Sequence, residues 1–185
     1  MGATNVNVAT NGVCYVAPYG TTLPSKSSEV ASLNVAFVDC GEISQDGLEV
    51  AFSVSSDVVR NWQGQPVRSF NTENSVTFKL TFLEADAKTV QEIYYGGTVT
   101  SQLGNQSNLK IGQPDSSAQS FVITCLDNED QSTTTYVIPR GVVTDRGAVV
   151  EQSGDASKFE VTITALYDTT LSAAVNKLFD NDLTS

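Results

Sequence analysis

Three stretches of strict alternation constrain this chain more than anything else in it. Leu48, Val50, Phe52 and Val54 alternate with Glu49, Ala51, Ser53 and Ser55. Val76, Phe78, Leu80 and Phe82 alternate with Thr77, Lys79, Thr81 and Leu83, and Phe159, Val161, Ile163, Ala165 and Tyr167 alternate with Glu160, Thr162, Thr164 and Leu166. Successive side chains of a strand leave opposite faces, so this pattern belongs to strands with one face buried and one face wet. The first two runs flank a loop around Trp62-Gln63-Gly64-Gln65-Pro66, and the second run begins at Val67. Together they predict a long antiparallel hairpin with room for a bulge.

Around these runs the punctuation is that of a β protein. A short strand is expected at Val13–Ala17, broken by Pro18-Tyr19-Gly20 and Leu23-Pro24-Ser25. Ser25 to Ser32 is polar and without periodicity, and is expected to order only against a neighbour. Phe37–Cys40 reads as a strand, followed by a turn at Gln45-Asp46-Gly47. One helix is predicted from about Asp86 to Tyr95, with Asp86 as N-cap, Ala87, Val90 and Tyr94 on one face, and Gly96-Gly97 as the stop. Strands follow at Phe121–Leu126 and Thr133–Val143, separated by the polar turn Asp127-Asn128-Glu129-Asp130. The second of these is interrupted at Pro139, with a bend at Arg140-Gly141 and a turn at Arg146-Gly147. Leu171, Val175 and Leu178 are spaced for a last helical turn. No shift in composition divides the chain. The expectation is one domain over residues 1–185, with 1–36 an arm and loop and 169–185 a tail. Its fold class is mainly β: a sandwich or partly closed barrel with one flanking helix and a long hairpin.

Composition removes most chemistry. The chain of 185 residues has no His, which excludes Ser-His-Asp and Cys-His catalysis, the commonest zinc sites and the usual proton shuttle near neutral pH. The glycine-rich phosphate and dinucleotide motifs and the G-x-S-x-G elbow are absent. A glycosidase would need a cleft with several aromatics beside its paired carboxylates, and this chain has a single Trp. Asp127, Glu129 and Asp130 lack the spacing of a calcium loop and read as an acidic turn. Asn105-Gln106-Ser107 fits the glycosylation pattern, which is common by chance. Cys14, Cys40 and Cys125 are widely spaced and odd in number, so they are expected as free thiols rather than a disulfide framework. No enzyme, cofactor or metal is expected, and no apolar run approaches the ~18 residues of a membrane span.

What remains is surface. The net charge of −11 keeps the protein soluble and repels nucleic acid, whose phosphates bind Lys and Arg. Trp62, in the loop of the long hairpin, is either an anchor on its own core or an anchor for a neighbouring subunit.

The order of motifs is informative where no single one is. Val16-Ala17-Pro18 and Thr22-Leu23-Pro24 lead to Phe37-Val38-Asp39-Cys40-Gly41-Glu42-Ile43-Ser44-Gln45-Asp46-Gly47-Leu48. Then come Val58-Val59-Arg60-Asn61-Trp62-Gln63-Gly64-Gln65-Pro66 and Thr77-Phe78-Lys79-Leu80-Thr81-Phe82-Leu83-Glu84, and Tyr94-Tyr95-Gly96 follows. The series resembles the major tail proteins, or tail tube proteins, of long-tailed siphophages, especially those infecting actinobacteria. It continues more weakly through Ile138–Val143 and Val161–Leu166, and so covers most of the chain.

The resemblance implies a structural virion protein, assembled in the host cytoplasm, whose copies form hexameric rings stacked into a hollow tube. Double-stranded DNA would pass through the lumen without tight binding. Tape-measure, tail-terminator and tail-tip proteins would be its other partners. On that reading the polar faces of the hairpin supply lumen-facing charges at Glu49, Asp57 and Glu73, and the arm and long loops supply interface residues at Leu23, Pro24, Ser27, Trp62 and Gln63. The competing reading is a monomeric immunoglobulin-like or carbohydrate-binding module, with similar strands but an exposed aromatic patch for its ligand.

Overall fold

The structure is a computed structural model that describes residues 8–84, 88–102, 106–113, 117–127, 132–154 and 156–180, without the side chains of Glu73 and Gln102. Its strands are β1 (Asn11–Pro18), β2 (Val38–Asp39), β3 (Glu49–Arg60), β4 (Pro66–Phe82), β5 (Val99–Gln102), β6 (Gln106–Leu109), β7 (Gln119–Leu126), β8 (Thr133–Arg146), β9 (Phe159–Ala165) and β10 (Asn176–Phe179). The helix α1 (Lys88–Tyr95) lies between β4 and β5. The main sheet runs β2-β1-β7-β8-β9-β4-β3, with β10 added beside β8, and β5 pairs β6 separately. Every pairing is antiparallel.

The alternating runs set which face is inside. On β4, Phe78, Leu80 and Phe82 are buried; on β9, Phe159, Val161 and Ile163 are. They share one core with Cys14 and Val16 of β1 and Phe121 and Ile123 of β7, from the other end of the strand order. The sheet therefore curls around its own apolar face. It does not close into a barrel, but residues 38–44 cross from one edge to the other: Cys40 N donates to Cys14 O on β1 (2.9 Å), Leu83 N donates to Glu42 O (2.9 Å), and Ser44 N donates to Thr81 O on β4 (2.8 Å). Helix α1 covers the core with Val90, Ile93 and Tyr94, and the Tyr94 ring meets Phe159 edge-on at 5.2 Å. Asp86 and Ala87, expected in its first turn, lie outside the described residues.

Pro139 does not interrupt β8. The register passes from Ile138↔Phe121 to Gly141↔Gln119, which places an extra residue on β8. A strand proline is tolerated at such a bulge, where no ladder donor is required. Here β8 also changes its partner on the far edge, from β10 at Thr134–Val137 to β9 at Gly141–Arg146. Gly141 is required at this corner, because a Cβ there would stand 2.7 Å from Phe121 Cδ2 and 3.0 Å from Ile163 Cγ2.

Two local expectations are corrected and a third is extended. The helical turn expected from Leu171, Val175 and Leu178 does not form: Leu171 lies in a turn and Leu178 in strand β10, because the open edge of β8 offers hydrogen bonds that an isolated helical turn cannot match. Ser25 to Ser32 orders without a neighbour: Ser27–Ser32 forms a 3₁₀ helix, and Glu29 Oε2 accepts from Ser25 N at 2.7 Å. The strand expected at Val13–Ala17 extends over Asn11–Pro18 and lies inside the sheet, between β2 and β7. The acidic turn after β7 is described only at Asp127, whose Oδ2 accepts from Val8 N at 2.7 Å; Asn128, Glu129 and Asp130 lie outside the described residues, as does Asn105.

Candidate functional site

The β3–β4 hairpin is longer than the body that supports it. Val50↔Phe78 and Phe52↔Val76 are opposed pairs on the inward face. Val50 and Val76 still pack on the core. Further along the same face of β3 nothing lies beneath: Phe52 is 74% exposed and Val54 63%. The apolar stripe that builds the core thus continues past the edge of the molecule. The register gains an extra residue on β4 between Ser55 and Ser56 of β3, and another between Val59 and Arg60. Each such bulge increases twist and bends the strand. Thr72, the extra residue at the first, caps Ser55 O with its hydroxyl at 3.1 Å.

The hairpin ends in a tight, internally bonded turn. Gly64 N donates to Asn61 O at 2.9 Å, Gln65 N to Asn61 Oδ1 at 2.8 Å, and Arg60 Nη1 to Gly64 O at 3.0 Å. Gly64 has φ +78°, a value glycine adopts without cost. Trp62 is left at 101% exposure. Of the two readings of this residue, the anchor on its own core is excluded.

The opposite face of the hairpin is polar where it joins the body of the sheet; beyond the first bulge it also carries Val59, opposite Arg68, and Phe70, opposite Asp57. Glu49↔Lys79, Ala51↔Thr77 and Ser53↔Ser75 face one another across β3 and β4, and Lys79↔Thr162, Thr77↔Thr164 and Thr81↔Glu160 continue the face onto β9. Hydroxyls tie it to β8: Thr144 Oγ1 lies 2.8 Å from Thr164 Oγ1. Lys79 Nζ pairs with Glu160 Oε2 at 3.0 Å. Its pKa is raised, first by that hydrogen bond and charge, then by Glu49 and Asp145. Three carboxylates thus surround one amine, and the face is net acidic. Asp57 lies exposed further along β3, its Oδ1 accepting from Val58 N at 2.7 Å.

The expected site residues fall in two places. Glu49 and Asp57 are exposed on odd positions of β3; Glu73 is opposite Ser55 by register, with its side chain outside the described set. Trp62 and Gln63 are exposed at the tip. Leu23 and Ser27 are half-buried and Pro24 is buried within its own chain; Ser27 Oγ is buried with no hydrogen-bond partner. Sequence reasoning did not assign Lys79, Asp145 and Glu160 to this face. The signal for two of them was present in the alternation of β4 and β9.

The sequence profile of the family described as phage tail tube protein matches residues 1–184. The chain belongs to that family. It is a structural protein of a phage tail tube and not an enzyme. A comparison with curated proteins finds no match. Among solved structures, the fold is similar to a chain of the sheath–tube complex of an extracellular contractile injection system in its extended state (8% identity, TM-score 0.49, covering 97% of this chain and 95% of that one). It is also similar to chains of the anti-feeding prophage baseplate (11%, 0.47, 95% and 97%) and of the virion of a gene transfer agent (10%, 0.39, 80% and 92%). The family assignment rests on the sequence match alone. Among the described residues of this tail tube protein, no helix is long and apolar enough to cross a membrane, and no group of three or more His, Cys, Asp or Glu could hold a metal ion.

Proposed function

We propose that this tail tube protein is the repeating subunit of the tube of a long, non-contractile-tailed phage. Six copies close a ring, rings stack, and DNA leaves through the lumen. The observation that carries the reading is the two-faced hairpin. Its apolar face leaves Phe52 and Val54 in water, at a cost that a covering subunit would remove. Its other face, from Glu49 to Ser55 and across β4 and β9, is hydroxyl-rich and net acidic. Such a face suits a water-filled path for DNA, since like charge gives phosphates no place to bind. On this reading Glu49, Asp57 and Glu73 look into the lumen, Trp62 and Gln63 meet the neighbouring subunit, and Leu23, Pro24 and Ser27 support a second contact through the segment before β2. The long edge of β3 also needs a partner, because an uncovered edge strand invites aggregation. Tape-measure, terminator and tail-tip proteins would set the length and the two ends.

Electron microscopy of the purified protein over a range of concentrations tests the proposal. Hollow tubes or rings of uniform width are expected. A monomer that persists at every concentration, even with preformed tail tips as initiators, would reject it in favour of a binding module.

A further inference from the structure

The three cysteines, far apart in sequence, come together on three adjacent strands. The β1–β2 register is Tyr15↔Asp39 and Val16↔Val38, which puts Cys14 opposite Cys40; the Cys40 N–H donates to Cys14 O at 2.9 Å. Both side chains are fully buried. Cys125 lies opposite Gly12 on β7. It is therefore on the same face but diagonal to Cys14. Opposed residues of a hydrogen-bonded antiparallel pair have Cα atoms about 5.5 Å apart, within disulfide range, whereas the diagonal separation of about 7–8 Å lies beyond it.

We infer that Cys14 and Cys40 are a latent disulfide, closed by oxidation, which staples the segment 38–44 to β1. The oxidant is a small disulfide, RSSR. One cysteine thiolate attacks it, forming a mixed disulfide and releasing RSH. The second thiolate attacks the cysteine sulfur of that bond and releases the second RSH. Two electrons pass from the protein dithiol to the reagent. Access is through β2, which is two residues long with both residues exposed; so short a pairing opens locally at little cost. A cavity of ≈280 Å³ lined by Gly12, Glu42, Ile43 and Cys125 reaches Cys125 and not the Cys14–Cys40 pair. Hydrogen bonding to Cys14 and then burial raise the Cys40 thiol well above its usual range, so closure is slow near neutral pH and faster in alkali. The segment carrying Cys40 is the one that joins the two edges of the curled sheet. The staple closes a loop of about 25 residues and is expected to raise Tm by roughly 10 °C.

The test is to incubate the folded protein with oxidised glutathione at pH 8.5, with and without sub-denaturing urea, then to count thiols by alkylation and map the linked peptides. Two of the three thiols should disappear, the Cys14 and Cys40 peptides should be joined, and Tm should rise and return on reduction. Cys125→Ser should behave like the unaltered protein. Three reactive thiols under both conditions, a bridge that includes Cys125, or a bridge without a rise in Tm would overturn the inference.

Discussion

Replacing Phe52 by Ser separates the stability of the subunit from its assembly. The side chain is 74% exposed, so the isolated subunit gains little from it, and the substitution should change its unfolding free energy by no more than about 0.5 kcal/mol. An aromatic side chain presents about 200 Å². Three-quarters of that, about 150 Å² at about 25 cal/mol per Å², is worth between about 2 and 4 kcal/mol when a neighbour covers it, depending on how completely. In the assembly proposed above, each subunit that joins docks one hairpin, so the whole loss falls on the elongation equilibrium. Taking the lower figure, about 2 kcal/mol, the critical concentration should rise about 30-fold. The assay has a built-in reporter, because the chain has one Trp and that residue stands fully exposed at the hairpin tip. Emission from Trp62 should shift to shorter wavelength on assembly of the unaltered protein, and the same shift should require about 30 times more of the variant. Pelleting of polymer by centrifugation gives an independent midpoint. An unchanged critical concentration would show that Phe52 stays in water in the tube. A large loss of monomer stability would show that the hairpin folds back on its own core, contrary to the exposure found here.

Two other outcomes follow from the charges. Asp168 accepts from Leu171 N at 3.1 Å, Tyr19 OH at 2.9 Å and Thr170 N at 2.8 Å, and these bonds lower its pKa, the Leu171 amide most. A lowered carboxylate stabilises the fold above the ordinary carboxylate pKa, near 4, and loses that contribution as pH falls through the folded value. Asp168→Asn should therefore weaken the protein to urea at pH 7 and converge with the unaltered protein near pH 2; an equal deficit at both would mean the charge is not what matters. Glu49→Lys and Asp57→Lys, on the polar face of β3, should slow DNA ejection from assembled particles more at low salt than at high salt. Ejection kinetics unchanged at every salt concentration would remove these positions from the lumen.

How far the sequence is readable depends on which physical signal each residue carries. Period-two alternation is strong in β3, β4 and β9, and it marks both strand and face. In β5 (Val99–Gln102) and β6 (Gln106–Leu109) the residues are almost all polar, so no periodicity announces the hairpin they form. β10 failed for the opposite reason. Leu171, Val175 and Leu178 fit a helical spacing, but the open edge of β8 decided the outcome, and an edge is a property of the tertiary fold. Pro139 looked like an interruption because a proline cannot donate to a ladder; only the register shift around it shows that no donor was needed there. The three cysteines were legible as types but not as neighbours, since register alone brings position 40 opposite position 14.

The hairpin carries the most instructive limit. Alternation says that Val50, Phe52 and Val54 share a face, and they do. It does not say what covers that face. Val50 is covered by its own core and Phe52, two residues on, is in water, although the sequence signal at both is the same. A chain that folded only for itself would gain nothing by extending an apolar stripe over the last turns of a hairpin, and would incur the hazards of exposed apolar surface and a long free edge. Continuing the core pattern past the core is what the proposed assembly calls for, with another copy supplying the remainder of the core. On that proposal the uncovered stripe is part of the fold's specification, completed outside the single chain.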